Sequence, residues 1–187
     1  VLRQPLHSVS AARPPIRLPE MGVVRAFSLI ADDGTTIRRE DLDGKVWIAN
    51  FIFTRCAGQC PMMSAEMARL QTALRALPTV RFVSFTVDPE HDTPEVLSAY
   101  ARRYETDPAR WHFVTGESAA ITQLAEYGFH LGVSPTGTAR EPITHSLRFA
   151  LVDQHGHLRG YYEAADPDAM QRLSAHAQAL VENPGAR

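Results

Sequence analysis

Between Val46 and Leu77 the chain passes from a continuous apolar run to an apolar stripe, and both of its cysteines sit at the changeover. Val46-Trp-Ile-Ala-Asn-Phe-Ile-Phe53 shows no alternation of polar and apolar residues, as expected of a strand covered on both faces. Met63, Met67, Leu70, Leu74 and Leu77 then recur at helical spacing, which predicts a helix over about 61–77 with Pro61 in its first turn and Pro78 as its stop. Cys56 and Cys60 therefore lie where a buried strand gives way to a helix N-terminus. Unpaired N–H groups and the helix dipole favour negative charge there, so a cysteine can ionise below its free value of about 8.5. Thiolate is both the nucleophile and the metal ligand, so the pair points to chemistry. A structural disulfide is the weaker reading: a five-residue loop contributes roughly 2 kcal/mol, against about 4.7 for a 100-residue loop.

The rest of the chain supplies alternating elements. Ala26–Ile30 and Thr35–Arg38 flank Asp32-Asp33-Gly34, an N-terminal hairpin signal. Val80–Val87 is the next strand, and Thr93-Pro94 opens a helix with Leu97, Tyr100, Ala101 and Tyr104 on its buried side. A short strand at Trp111–Thr115 precedes a helix opened by Ser118 and closed by Gly128. Leu131 to Pro142 is expected to be an irregular excursion. Leu147–Val152 and Leu158–Tyr162 bracket a turn, and Asp166-Pro167 caps a last helix carrying Met170, Leu173, Ala177 and Leu180. Alternation of β and α implies a parallel core, to which the late hairpin adds antiparallel strands. A thiol pair at the first βα turn of such a central mixed β-sheet, flanked by helices, is the thioredoxin-like α/β arrangement. Residues 1–20, with four prolines, are expected to be a tail or linker, 21–182 the domain, and 183–187 a C-terminal tail.

With 187 residues, a net charge of −2 and 21% charged residues, nothing in the balance points to nucleic acid or an anionic membrane surface. No apolar run approaches the roughly 20 residues needed to cross a bilayer. The chain begins at Val1 rather than Met, so an upstream segment is expected to have been processed or cut away; a signal peptide or membrane anchor is one candidate for it, and its absence here proves nothing. Two cysteines alone do not decide the redox compartment.

Three motifs in order carry a family resemblance: Phe53-Thr54-x-Cys56-x-x-x-Cys60-Pro61, Val87-Asp88-Pro89-Glu90-x-Asp92-Thr93-Pro94, and Thr144-His145-Ser146. Together, over about residues 25 to 182, they resemble the SCO/SenC family, thioredoxin-like proteins that help assemble copper into cytochrome c oxidase. The resemblance implies that Cys56, Cys60 and His145 bind copper, as Cu(I), Cu(II) or both, with Asp88 close to the site. It also implies an extracytoplasmic protein on the periplasmic side of the bacterial inner membrane, membrane-anchored in its full-length form. Its partners would be the copper-site subunit of cytochrome c oxidase and a copper donor protein. Members often carry Pro-Asp after the first cysteine, where this chain has Ala57-Gly58-Gln59; the uncharged insert leaves the ligands in place but bears on copper affinity and reduction potential.

Ligand chemistry agrees with that reading. Thiolates are soft ligands that select Cu(I) or zinc, and imidazole suits Cu(II) as well. Structural zinc would want four protein ligands, normally with a second cysteine pair, and there is none. The competing function is a thiol-disulfide oxidoreductase that reduces partner cysteines without carrying copper, with Cys56 and Cys60 as its redox-active pair. Its usual spacing has two intervening residues, whereas here there are three. Peroxidase chemistry fits less well, because Thr54 stands only two residues before Cys56. A metallochaperone is the expected function, with thiol-disulfide oxidoreductase activity left open, because both need the same two thiols. Without the resemblance, His145 reads as a loop histidine bonded to backbone. Asp88 reads equally as a side chain that steers the metal or hydrogen-bonds one of its ligands and as a cap of the turn into Pro89. His155 and His157 read as solvated turn residues and His91 as exposed. Met63 reads as core, Met62, which lies off the stripe, as no more than a minor candidate for a thioether ligand, and Trp47 and Trp111 as core or interface packing.

Overall fold

The computed structural model describes residues 16–134 and 144–184. Its strands and helices in chain order begin with β1 (Gly22–Val23), β2 (Ser28–Ala31), β3 (Thr36–Arg38) and β4 (Trp47–Ile52). Then come α1 (Gln59–Ala73), β5 (Arg81–Thr86), α2 (Pro94–Ala101), β6 (Trp111–Thr115) and α3 (Ser118–Gln123), the last running into a π-helical turn at Leu124–Gly128. The chain closes with β7 (Val133–Ser134), β8 (Thr144–His145), β9 (Arg148–Val152), β10 (His157–Glu163) and α4 (Pro167–Glu182).

All six residues of β4 are buried, as its unbroken apolar run requires. It pairs in parallel with β5, and β5 in parallel with β6. Antiparallel strands flank this centre, β9 on β4 and β2 on β6, giving the order β1-β10-β9-β4-β5-β6-β2-β3. The expected mixed sheet with an N-terminal hairpin is what forms. That hairpin turns at Gly34, whose φ of 82° a side chain would resist, while the Asp33 carboxylate takes the Thr35 amide at 2.8 Å. In the stretch expected to be irregular, β7 and β8 pair antiparallel, Val133 opposite His145.

Successive side chains of β4 and β5 go to opposite faces. On one face Phe51 stacks on Phe85 with centroids 5.1 Å apart, and Phe129, Trp47 and Phe27 close around them edge-on or tilted. On the other face Trp111 donates its Nε1–H to Ser84 Oγ at 2.9 Å, and Ser84 donates to Asn50 Oδ1 at 2.7 Å, so polar groups buried there are linked to one another. Helices α1 and α2 meet above that face through Ser64 Oγ and Tyr100 OH, 3.0 Å apart. Trp47 and Trp111 are both core residues.

Helix α1 starts two residues before Pro61 and stops at Ala73, short of the expected 77. The reason lies at Arg110, a buried side chain that donates to the carbonyls of Leu74, Leu77 and Val80. These carbonyls find a partner without continuing the helix. Caps at the two Pro-initiated helices form as expected: Thr93 Oγ1 accepts the Val96 amide and Asp166 Oδ1 accepts the Asp168 amide. Ser118 opens α3 as expected, with Glu117 ahead of it making no side-chain cap. Residues 1–15 of the expected tail and 185–187 lie outside the described residues. Leu18 is buried, and Arg159 donates to the carbonyls of Leu18 and Pro19 at 2.7 and 3.0 Å, so packing already begins there.

Phe85→Ala removes the ring that touches Phe27, Phe51 and Phe129 at once. It should lower unfolding free energy by about 3–5 kcal/mol in urea titrations, and a loss under about 1 kcal/mol would show that these rings are not the core they form here.

Candidate metal centre

Strand β4 delivers the chain to the carboxyl edge of the sheet, where Phe53 is still buried and the turn begins. The Cys56 amide donates to Phe53 O at 3.3 Å, and the chain crosses two exposed residues, Ala57 and Gly58, before entering α1 at the exposed Gln59. Cys60 is the second residue of α1 and fully buried, while Cys56 keeps 8% of its surface. Both are free thiols. The Cys60 amide donates to Cys56 Sγ at 3.4 Å, so a first-turn donor of the helix is turned on the other cysteine's sulfur.

That geometry corrects the expectation of lowered ionisation for the cysteine inside the helix. Burial pushes the Cys60 thiol well above its ordinary range; a hydrogen bond with the Phe53 backbone opposes the rise, and Cys56 and Asp92 add to it. Desolvation outweighs the helix terminus at this position because the sulfur faces the core rather than the end of the helix.

The loop after β5 supplies the walls. Asp88 is buried and accepts from Arg55 Nε at 2.9 Å and Nη2 at 2.5 Å through a single carboxylate oxygen. It therefore binds the residue next to Cys56, while its backbone carbonyl accepts the amides of His91 and Asp92. The Asp88 side chain thus bonds neither cysteine; it steadies the cysteine loop through Arg55, and its backbone carbonyl closes the turn after Pro89. Asp92 had no assigned role and proves to be the better-buried carboxylate. It is fully buried and accepts from the Thr54 amide at 3.1 Å, the Thr54 hydroxyl at 2.5 Å and the Thr86 hydroxyl at 2.5 Å. The available signal was its place in the second motif, four residues after Asp88, together with Thr54 in the first.

The other candidates separate. His145 sits in β8 with its backbone opposite Val133, and its imidazole lies outside the described residues. Met63 is core and Met62 is half-buried against it. His91 and His155 are exposed, and His157 faces Asp153 at 3.4 Å and Glu20 at 3.6 Å. Among the described residues no three His, Cys, Asp or Glu side chains gather as a metal cluster. The two sulfurs are thus the described donors, and their softness suits Cu(I) or zinc.

A buried dithiol at the first βα turn of a mixed sheet, opened by a strand and closed by a helix N-terminus, defines a protein of the thioredoxin-like class. Comparison with known proteins places it further: a family model described as SCO1/SenC matches residues 18–181, and the chain belongs to that family. It is 37% identical over 146 residues to an SCO1 protein homolog of Bacillus subtilis, covering 76% of this chain and 75% of that protein. A crystal structure of an SCO1/SenC family lipoprotein from Bacillus anthracis superposes with a TM-score of 0.79 at 31% identity, over 90% of this chain and 98% of the other. The Arabidopsis thaliana ScoI crystal structure, solved with copper bound, shares the fold with a TM-score of 0.72 at 23% identity, over 86% and 99% of the two chains.

The unequal burial of the two thiols gives an order of reaction. In the metal-free protein at neutral pH, an alkylating reagent should modify Cys56 first and Cys60 only slowly, as read by mass spectrometry of peptides. Equal rates, or Cys60 reacting first, would contradict the geometry.

Proposed function

We propose that this chain is a copper-binding metallochaperone that delivers copper to, or prepares, the dinuclear copper site of cytochrome c oxidase during its assembly. The observation that carries this is the free thiol pair at the β4–α1 turn, in a chain of the SCO1/SenC family. Copper is the cargo. The pair supplies two soft donors, and His145, brought in by the third motif, supplies an imidazole that suits both oxidation states. A site with three protein ligands leaves the metal open to a ligand from a receiving protein, whereas a four-ligand structural site is closed. Partners would be a copper donor protein and the copper-site subunit of the oxidase. The lipoprotein relative supports an extracytoplasmic, membrane-anchored setting, which in this reading is the periplasmic side of the inner membrane; among the described residues no helix is long and apolar enough to cross a membrane.

A second reading has its own observation. Cys56 is the more exposed thiol and Cys60 stands behind it, the division of labour of an attacking and a resolving cysteine. As a thiol-disulfide oxidoreductase the dithiol would pass two electrons to a partner disulfide, ending as a Cys56–Cys60 disulfide. Both readings need the same sulfurs, and His145 separates them.

Loading the reduced protein should give about one copper per chain, and Cys56→Ser or Cys60→Ser should abolish binding along with the Cu(II)–thiolate charge-transfer band. Full copper retention in either single mutant would remove the thiolates from the site. His145→Ala should weaken copper binding at least tenfold in competition assays, most for Cu(II), and leave dithiol–disulfide cycling intact. Unchanged affinity with a small loss of thermal stability would put the oxidoreductase reading ahead.

A further inference from the structure

Two carboxylates and one guanidinium grip consecutive residues just ahead of Cys56. Thr54 gives its amide and its hydroxyl to Asp92, and Arg55 gives two N–H groups to Asp88. Thr86 links the two aspartates: its hydroxyl accepts the Asp88 amide at 3.0 Å and donates to Asp92 Oδ2 at 2.5 Å. Every hydrogen-bonding neighbour of Asp92 is a donor, the pattern of an ionised carboxylate. Those donors are hydroxyls and an amide, none of them a cation. Asp88 is matched by Arg55; Asp92 is not. As a carboxylate Asp92 therefore places one net negative charge, fully buried, against Thr54, which stands two residues ahead of Cys56, where charges act far more strongly than in water.

We infer that Asp92 biases the copper held at Cys56 and Cys60 toward Cu(II), and that Arg55 limits this bias by neutralising Asp88. The inference rests on the copper-binding reading above. Two thiolates with Cu(I) carry one net negative charge, with Cu(II) none, and a neutral imidazole changes neither sum. Reduction adds one electron to the metal and leaves the ligand set as it was. A fixed negative charge behind the sulfurs repels the more negative state, so it raises the relative affinity for Cu(II) and lowers the potential. Asp92 makes this contribution through space and through Thr54, as a positioning residue and not a ligand.

The sign of the effect is its signature. Asp92→Asn keeps the shape and removes the charge; Arg55→Gln leaves Asp88 unmatched and adds to the charge. With the copper-loaded protein and each variant, the midpoint potential of the bound metal and the separate Cu(I) and Cu(II) affinities are measured. Asp92→Asn should raise the ratio of Cu(I) to Cu(II) affinity about tenfold, a shift of about 59 mV for a one-electron couple. Arg55→Gln should move the potential the opposite way, and its half-exposed side chain makes loss of folding no obstacle. Should Asp92→Asn fail to fold, the direction of the Arg55→Gln shift decides alone. A potential unmoved while both affinities fall together would mean that the variants merely loosen the loop, and would overturn the inference. Shifts of the same sign in both variants would overturn it as well. A wild-type protein that binds no copper would overturn the metallochaperone reading and this inference with it; a wild type that binds copper beside variants without opposite shifts would overturn the inference alone.

Discussion

Burial of β4 on both faces is the constraint from which the rest of the structure follows. A strand with no solvent side must satisfy its backbone on both edges and cover its side chains above and below. It does so by pairing in parallel with β5 on one edge and antiparallel with β9 on the other. The parallel partner forces a crossover, which is α1, and the crossover forces the chain to leave β4 at the carboxyl edge of the sheet. Cys56 and Cys60 occupy that exit. Their placement is thus a consequence of strand burial before it is a matter of chemistry.

The exit turn is held in place by polar bonds made inside the protein. Burying Asp92 would cost several kcal/mol if its oxygens were left bare, and three donors prevent that. In return the loop carrying the first thiol is tied to the end of β5 by Thr86 and to the following loop by Arg55 and Asp88. Further inside, Asn50, Ser84 and Trp111 are joined in the same way across three neighbouring strands. Asn50 Oδ1, Ser84 Oγ and Trp111 Nε1 each find a partner on a different strand, which makes the arrangement of elements specific as well as stable.

Local pattern made much of this legible in advance. The buried strand, the helix after it, the Pro-initiated helices and the position of the thiols all follow from spacing along the chain, and the family follows from three short motifs. What spacing does not reveal is partnership at a distance. Thr54 and Asp92 are 38 residues apart, and Arg110 answers carbonyls more than 30 residues earlier, so neither the loop clamp nor the early end of α1 leaves a periodic trace. The thiol of Cys60 shows the same limit from another side. Its position near a helix end was readable, but the direction in which its sulfur points was not, and that direction is what makes desolvation the larger effect.

Arg159 has a mechanical consequence. Its guanidinium grips the carbonyls of Leu18 and Pro19 while its own charge is met by Asp153, and just beyond, β1 lies antiparallel along β10. A pull on the chain ahead of Leu18 therefore loads this clasp and the β1–β10 pairing in shear before it reaches anything else. In the sheet, β10 and β9 stand between that edge and β4. The dithiol is thus isolated from tension on the leading segment by two strands and an ion pair, and the protein can be tugged at its front end without its sulfurs being moved.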